Sequence, residues 1–335
     1  MRLPMRRFLK SIAVPLFSIV ALAQPAPAPK PIDLLKQKLE QISSGVSADW
    51  GIYIKSLDTG EEIAINADKT MDTMSAIKIP LLVDAYRLVD AGKIDPAQRF
   101  TMTTADKRFG TGVLRTLNPG LALTVHDAIE LMIIQSDNTG TDMMFSRVGG
   151  PAHVNETMKQ LGLSSITATG TSFDWFRALA EAGDPSYAKL TPEELFTKGF
   201  PEKLTDAEVE RFHFEGKHPF GLSNARDMGR LLEMIATNKT ASEKSCKEML
   251  RIMGQQQMRT RIPRFMMNDA STPHKTGDFP PYIANDVGFL NTPSARLVVV
   301  FFSAHHRGYY QELEDAIGRM SEQVWGYFNY REKQK

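Results

Sequence analysis

Strand-like segments lie near the two ends of this 335-residue chain, whereas the long region between them has the pattern of helices. Near the start, residues 50–56 and 62–66 have strand character and are joined by the turn residues Asp58-Thr59-Gly60. Near the end, residues 285–290 and 297–303 are again strand-like, and a final amphipathic helix follows them. We therefore predict an α+β fold: an antiparallel sheet built from both chain ends, with flanking helices and an all-helical insertion.

The first 23 residues have the pattern of a secretory signal peptide. A basic segment precedes an apolar run over residues 12–23, which is too short to span a bilayer as a stable helix. Ala21-Leu22-Ala23 supplies the small-residue cleavage pattern, so we expect a mature chain that begins at Gln24. This predicts a periplasmic or secreted protein that is not attached to a membrane after cleavage. The alternative is an uncleaved N-terminal anchor.

After the signal peptide we expect a proline-rich spacer over residues 24–31 and one domain over residues 32–330. Within the domain, residues 32–70 and 260–330 should form the α/β part, and residues 71–259 the mostly helical part. Cleavage would change the formal net charge from +1 to −3, since the signal segment holds four basic residues and no acidic ones. That charge gives no indication of a nucleic-acid partner.

Cys246 is the only cysteine, so no internal disulfide can form. It shares one face of a predicted helix over residues 243–253 with apolar neighbours, which predicts a buried core thiol. The group His213, Glu215 and His218 has a spacing that matches no metal motif, and we expect no metal there.

A serine and a lysine stand three residues apart, as Ser75 and Lys78, at the start of an apolar run with helical spacing. Helix geometry places Lys78 one turn after Ser75 on the same face, so the amine can reach the hydroxyl. An adjacent base can activate a serine hydroxyl as a nucleophile, and a helix N-terminus favours developing negative charge. On its own the motif is also typical of a serine N-cap followed by a solvated lysine.

Two further motifs follow in order: Ser136-Asp137-Asn138, in a predicted tight turn between two helices, and Lys275-Thr276-Gly277. The trio of S-x-x-K, S-D-N and K-T-G resembles the class A β-lactamases and the penicillin-binding serine hydrolases. Arg261-Ile262-Pro263 before the last motif, and the run over residues 285–288 after it, are similar to class A β-lactamases as well. The resemblance covers most of residues 32–330 and weakens across residues 164–222.

The resemblance implies a role for each catalytic residue. Ser75 would attack a β-lactam carbonyl and form an acyl-enzyme, and Lys78 would take its proton. Ser136 would relay a proton toward the leaving lactam nitrogen, while Asn138 would bond to Lys78 and to the substrate amide. Asp137 is expected to hold its loop. No metal or organic cofactor is implied.

The resemblance also implies a substrate-binding strand. Lys275 and Thr276 of the K-T-G motif, which Gly277 completes, would bind the substrate carboxylate. The backbone N–H groups of Ser75 and Asp278 would form the oxyanion hole. Asp278 departs from the family pattern because a small or neutral residue is usual there. A like charge beside the substrate carboxylate predicts weaker binding of carboxylate β-lactams, or a different acyl substrate.

The second departure concerns deacylation. Class A enzymes carry a glutamate within an E-x-x-L-N run that activates the hydrolytic water, and this sequence lacks that run. The closest local match is residues 176–180, where Phe176 stands in place of the glutamate. Asp174 and Glu181 are the nearby candidates for a deacylation base. The aromatic-rich residues 171–222 are expected to form a lid or a cleft wall.

Three functions are compatible with these residues. The first is a secreted serine β-lactamase that works through an acyl-Ser75 intermediate and would serve antibiotic resistance or β-lactam catabolism. The second is a D-alanyl peptidase or esterase that uses the same acylation apparatus. The third is a β-lactam-binding protein with slow turnover, which the missing glutamate favours. In each case we expect a monomer whose partner is a small molecule, either a β-lactam or a substrate resembling a peptidoglycan peptide.

Overall fold

The computed structural model describes residues 31–266 and 270–330. The predicted signal peptide and residues 24–30 of the predicted spacer lie outside the described residues. Pro31, which we expected to end the spacer, instead begins the first helix. Within the described part of the chain, no helix is both long enough and apolar enough to span a membrane.

The described helices are, in chain order, α1 (Pro31–Ser44), α2 (Lys78–Asp90), α3 (Val125–Ile134), α4 (Asn138–Val148), α5 (Pro151–Gln160), α6 (Ser172–Gly183), α7 (Pro192–Lys198), α8 (Asp206–Glu215), α9 (Ala225–Ala236), α10 (Glu243–Met253) and α11 (Tyr310–Tyr330). The described strands are β1 (Asp49–Ser56), β2 (Glu62–Ile65), β3 (Met71–Asp72), β4 (Arg99–Thr101), β5 (Ala122–Thr124), β6 (Thr167–Ala168), β7 (Gly221–Ser223), β8 (His274–Phe279), β9 (Ile283–Phe289) and β10 (Leu297–Ala304).

The main sheet joins the two ends of the chain, as predicted. Its five strands are antiparallel neighbours in the order β2-β1-β10-β9-β8. The β1 strand pairs with β10 over its whole length, from Asp49 opposite Ala304 to Ser56 opposite Leu297. The α+β architecture is therefore confirmed, and the strand that carries the K-T-G motif, β8, lies at one edge of the sheet.

The sheet is buried on both faces, which explains the almost continuous apolar run of β10. Val298, Val300 and Phe302 contact the larger core, on the side of the helical part of the chain. The alternate residues of β10 point to the opposite face, where helices α1 and α11 cover them. The sheet is thus a rigid platform between two layers of helices.

Helix caps set the boundaries of the helical part. Thr124 caps α3 through a reciprocal capping box with Asp127, as the sequence predicts. Asp137 caps α4 by accepting a hydrogen bond from the Gly140 N–H. Cys246 is fully buried in α10, in agreement with the predicted core thiol.

Residues 164–222, which appeared the least regular, form helices α6, α7 and α8 and two short strands. The predicted capping boxes at Thr191 and Thr205 begin α7 and α8. A third capping box, between Thr171 and Asp174, begins α6 and was missed. The residues that we expected to be a lid or wall therefore include helix α6, which packs against α4, the helix that begins at Asn138.

Candidate active site

Ser75 lies in a single 3₁₀ turn, Met74–Ile77, directly before α2. The preceding residue, Met74, has a left-handed backbone (φ +44°), and its N–H donates to the Asp72 carboxylate at 2.9 Å. Lys78 is the first residue of α2, one turn after Ser75. The local geometry thus gives the serine the position at a helix N-terminus that its motif predicts.

Gly277 of β8 packs directly against this turn. A Cβ atom at this position would lie 2.4 Å from the Thr73 carbonyl oxygen and 3.1 Å from the Ser75 nitrogen, so a larger residue cannot fit without a backbone shift. The glycine of the K-T-G motif is therefore required for the edge strand to approach the turn that holds Ser75.

Lys78 is fully buried and donates three hydrogen bonds. Its Nζ lies 2.7 Å from the Ser136 carbonyl oxygen, 3.1 Å from the Ser136 hydroxyl and 2.8 Å from Asn138 Oδ1. The Asn138 amide also donates to the Phe109 carbonyl at 2.8 Å, which fixes its orientation. The amine is thus held by the S-D-N turn, as the resemblance implies.

The Ser136 hydroxyl lies between two lysines. In addition to Lys78, the Nζ of Lys275 donates to it at 2.9 Å and to the Thr276 carbonyl at 2.8 Å. Ser136 itself has a left-handed backbone (φ +56°), in the turn between α3 and α4. Asp137 stabilises that turn by accepting from the N–H groups of Leu114 and Gly140, which agrees with the structural role expected of it.

The two lysines share a buried, positively charged environment. Burial, reinforced by the charge of Lys275, lowers the pKa of Lys78 well below its ordinary value. Burial also lowers the pKa of Lys275 to about 7, although the charges of Asp278 and Asp286 oppose this. A lysine with a depressed pKa can be neutral near pH 7, which is the state that can accept a proton.

Asp278 is not a free negative charge in the cleft. Its carboxylate pairs with the buried guanidinium of Arg261 and accepts a hydrogen bond from the Tyr310 hydroxyl at 2.5 Å. Burial alone would raise the pKa of Asp278, but the charge of Arg261 and these hydrogen bonds lower it overall. The like-charge repulsion expected from the sequence is therefore offset by a cation that sequence reasoning did not connect to Asp278.

Replacing Asp278 by asparagine should lower the free energy of unfolding by about 3 kcal/mol, because Arg261 would lose its main charge partner in a buried site. Urea unfolding measures this loss. Asp58→Asn removes a carboxylate from an exposed pair with Arg296 and should cost less than about 1 kcal/mol. Equal effects of the two substitutions would contradict the assigned role of the Arg261 pair.

The cleft beside Ser75 has a volume of about 540 Å³. Asn138, Asp278 and Arg261 line it together with Ser75, and Thr276 lies nearby with its hydroxyl 3.3 Å from the Met258 sulfur. The cleft residues therefore come from the first two motifs, from α6, from the chain segment before β8 and from the residues that directly follow K-T-G.

The two candidates for a deacylation base lie elsewhere. The Asp174 carboxylate accepts from the Thr171 N–H and hydroxyl, and so caps α6. Glu181 is exposed on the same helix, and neither residue lines the cleft. Phe176 does line it: a Cβ atom at Gly110 would lie 2.6 Å from both the Phe176 ring and the Asn138 amide. The apolar ring of Phe176, which stands in place of the family's glutamate in the sequence, thus lines the cleft.

Asp142 connects α4 to the start of α6. This buried residue of α4 accepts from the N–H groups of Ser172 and Phe173 at 2.7 and 2.9 Å, and pairs with Arg108 at 2.5 Å. The N-terminus of α6 is therefore held by a carboxylate, a favourable position for negative charge. Sequence reasoning missed Asp142 because its partners lie about 30 residues away.

In the described part of the chain, one group of side chains is close enough to share a metal ion: His126, Glu130 and Glu248. Arg251 already bonds to both carboxylates, so the group is a surface ion-pair network. His213 stacks on the Tyr282 ring and forms no metal-binding group with Glu215 and His218.

The fold and this cluster of serines and lysines agree with a comparison to known families. The sequence model described as "Beta-lactamase enzyme family" matches residues 34–328, and the chain belongs to that family. The resemblance drawn from the three motifs is therefore confirmed.

Individual relatives are distant. The extended-spectrum β-lactamase PER-1 of Pseudomonas aeruginosa is 26% identical over 133 residues, which are 39% of this chain and 43% of that protein. The β-lactamase regulatory protein BlaB of Streptomyces cacaoi is 26% identical over 162 residues, which are 47% of this chain and 50% of that protein. The chain thus spans about half the length, or less, of these two relatives.

Solved structures agree over most of the fold. A β-lactamase from Sphaerobacter thermophilus has a TM-score of 0.69 and 26% identity, and the match covers 87% of this chain and 96% of that one. PBP-A has a TM-score of 0.70 and 24% identity, with 90% and 98% coverage, and supports the fold.

Proposed function

We propose that this protein is a serine hydrolase that opens the β-lactam ring through an acyl-Ser75 intermediate. The observation that carries the proposal is the Ser136 hydroxyl held between Lys78 and Lys275, at 3.1 and 2.9 Å, beside the turn that presents Ser75. Membership of the β-lactamase enzyme family supports the same substrate class.

The proposed acylation uses Lys78 as the base. Neutral Lys78 takes the proton of the Ser75 hydroxyl, and Oγ bonds to the carbonyl carbon while the carbonyl electrons move to oxygen. The N–H groups of Ser75 and Asp278 are proposed to stabilise that oxyanion. When the intermediate collapses, the C–N bond breaks, and the nitrogen takes a proton from Ser136, which is reprotonated by a neighbouring lysine.

Substrate binding is proposed to use the K-T-G strand. Protonated Lys275 and the Thr276 hydroxyl would bind the substrate carboxylate, and Asn138 would bond to the substrate amide. Because the charge of Asp278 is offset by Arg261, carboxylate β-lactams remain acceptable substrates.

A specific observation favours a second candidate, a protein that is acylated but turns over slowly. Phe176 lines the cleft, whereas Asp174 and Glu181 do not, so the described cleft lacks the carboxylates that we considered as deacylation bases. The names of the relatives are not all those of hydrolytic enzymes: PER-1 is a β-lactamase, and BlaB is a β-lactamase regulatory protein. A leucine-to-glutamate variant of PBP-A has been solved as an acyl-enzyme with penicillin G.

A chromogenic cephalosporin tests the proposal when hydrolysis and the intact mass of the protein are followed together. We expect an adduct of one equivalent on Ser75, followed by steady hydrolysis. A stable adduct without steady hydrolysis would identify the slow-turnover protein instead. The absence of both adduct and hydrolysis would contradict both candidates and favour a peptidase or esterase, which a D-alanyl-D-alanine peptide and a thioester can then probe.

A further inference from the structure

A second cavity lies outside the cleft, beside strand β3, which leads into the turn that holds Ser75. It has a volume of about 150 Å³ and is lined by residues of β3, α8, the segment between α8 and β7, and the ends of β8, β9 and β10. Trp175 and Phe279 line both this cavity and the cleft, so they separate the two spaces. Because Asp72 lines this cavity and not the cleft, we call it the Asp72 cavity.

The Asp72 carboxylate faces this cavity with few partners of its own. Its Oδ1 accepts from the N–H groups of Met74 and Gly221 at 2.9 and 3.5 Å, and its Oδ2 accepts from the Phe220 N–H at 3.3 Å. No lysine, arginine or histidine among the described residues pairs with it. A carboxylate can accept about four hydrogen bonds, so Asp72 has room for a donor from a ligand.

The surroundings of Asp72 leave its negative charge poorly stabilised. Burial raises the pKa of Asp72 to about 6, and the three N–H bonds, which lower the pKa, only partly oppose this. At neutral pH the carboxylate is therefore ionised in a space that solvates it badly. A cation beside it would restore the electrostatic stabilisation that burial removes, so the cavity favours a positively charged ligand.

Aromatic rings form much of the cavity surface. The Trp175 ring is nearly perpendicular to the rings of Phe212 and Phe279, with centroids 5.6 and 5.0 Å away. The His213 ring lies 5.7 Å from that of Phe279, and burial lowers the pKa of His213 to about 4, so it is neutral at pH 7. Aromatic rings beside a carboxylate attract organic cations, because the face of each ring carries negative potential.

The other charged and titratable groups around the cavity do not neutralise Asp72. Lys69 lines the cavity but pairs with Asp49 at 2.9 Å, and His305 bonds to the same Asp49 carboxylate at 2.7 Å. His218 is exposed and stacks on an aromatic ring of α8. Since Asp49 takes the charge of Lys69, an ionised Asp72 leaves the cavity with an excess negative charge.

We propose that the Asp72 cavity binds a small primary ammonium ion, with its N–H groups on the Asp72 carboxylate and its alkyl chain among the aromatic rings. A cavity of this volume can hold a molecule of the size of benzene, which corresponds to an alkyl chain of about four carbons. A free alkylamine and the end of a lysine-type side chain share this chemistry. The inference goes beyond the proposed function, because none of the residues proposed to react with a β-lactam lines this cavity.

The test is a titration of the wild-type protein with n-butylammonium, followed by NMR chemical shifts or calorimetry. Butan-1-ol is the uncharged ligand of similar shape. We expect saturable binding of butylammonium with a Kd of about 1 mM or tighter. Butan-1-ol should bind at least about tenfold more weakly, because it cannot form a charge-assisted hydrogen bond.

Binding of butylammonium should strengthen as the pH rises through about 6, because Asp72 becomes ionised. Loss of a proton from His218 or His305 would act in the same direction, so a variant must isolate the carboxylate. Asp72→Asn should weaken binding of butylammonium at pH 7.5 by at least about tenfold and reduce its pH dependence, with little effect on butan-1-ol. Thermal unfolding checks the fold of this variant, since Asp72 also holds the Met74 N–H.

Asp68→Asn is the matched control. It removes an exposed carboxylate that pairs with Arg226 and does not line the cavity, so its binding should equal that of the wild type. Phe212→Leu is a second variant that leaves Asp72 in place. It keeps an apolar side chain but removes a ring, and should weaken binding of butylammonium about threefold without weakening that of butan-1-ol.

The outcomes decide the proposal. An absence of saturable butylammonium binding, equal binding of butan-1-ol, or full affinity in Asp72→Asn would each overturn it. Ser75→Ala should bind butylammonium like the wild type, whether or not the wild type is acylated by a β-lactam; lost binding would place the ligand in the cleft instead. With the site supported, Nα-acetyl-lysine methylamide separates the sources: binding as tight as that of butylammonium indicates a peptide side chain, and much weaker binding a free amine.

Discussion

Replacing Ser75 by alanine is expected to abolish covalent labelling by a β-lactam. The fold should be unchanged, because Ser75 lies in a short turn that is held by neighbouring groups: the Asp72 carboxylate on one side and Gly277 on the other. Intact-mass measurement after incubation with a β-lactam in excess measures the adduct directly. The wild-type protein should gain one equivalent, and the variant none.

A suitable control is Ser44→Ala, which removes an exposed serine hydroxyl from the end of α1. It should be labelled like the wild type. Labelling of Ser75→Ala at the wild-type rate would mean that another nucleophile reacts, and the active-site assignment would then be wrong as a whole.

Replacing Lys78 by alanine is expected to lower the rate of acylation by about 10² to 10⁴-fold, the usual contribution of a general base. The amine donates to the Ser136 carbonyl oxygen and to Asn138 Oδ1. Its loss removes the donor to Asn138 Oδ1, whereas the Ser136 carbonyl oxygen keeps the Thr111 hydroxyl as a donor. Stopped-flow or quenched mass measurements of the first turnover measure the rate. Lys55→Ala, which removes a lysine from a partly buried pair with Glu233 away from the cleft, should leave the rate unchanged.

The pH dependence provides a second test of the two lysines. Only neutral Lys78 can accept a proton, so the acylation rate should rise with pH through its depressed pKa and then level off. Lys275 must be protonated to bind a carboxylate, and its pKa is lowered to about 7, so binding of an anionic substrate should weaken above that pH. The profile of kcat/KM should therefore be bell-shaped.

Each limb of that profile has its own control. The rising limb should disappear in Lys78→Ala, whereas the falling limb should be weaker for a substrate that lacks a carboxylate. A flat profile between pH 5 and 9 would contradict the assignment of both lysines.

Much of the fold follows from local sequence signals. Capping boxes at Thr124, Thr191 and Thr205 begin the helices that they predict, because the cap uses backbone groups only three residues away. The strands at the two chain ends were predicted from apolar patterning, and they pair as antiparallel neighbours. The S-x-x-K, S-D-N and K-T-G motifs predicted the residues that the structure brings together around the Ser136 hydroxyl.

The interactions that sequence reasoning missed are long-range. Arg261 and Asp278 are 17 residues apart, and nothing in the local pattern indicates that their charges meet in a buried site. Asp142 and the start of α6 are about 30 residues apart, for the same reason. Pairings of this kind depend on how the elements pack, so they can be read from the structure and not from periodicity.

The position of Asp174 in the sequence is compatible with two roles, a deacylation base and a helix-capping residue. A carboxylate near the expected glutamate suggested a base, but the Thr171-x-x-Asp174 spacing is that of a capping box, and the structure shows the cap. The stripe formed by Ser172, Trp175, Phe176 and Leu179 was also present as a helical period. That period is a local signal for α6.

The left-handed backbones of Met74 and Ser136 have a consequence for the protein as a whole. A residue other than glycine in a left-handed backbone conformation destabilises the fold by about 1–3 kcal/mol. Here Met74 lies beside the proposed nucleophile, and Ser136 is the proposed proton relay. That cost is comparable to a large fraction of the net stability of an ordinary domain. If acylation proceeds as proposed, a variant that relaxes these two backbones is expected to gain melting temperature and to be acylated more slowly.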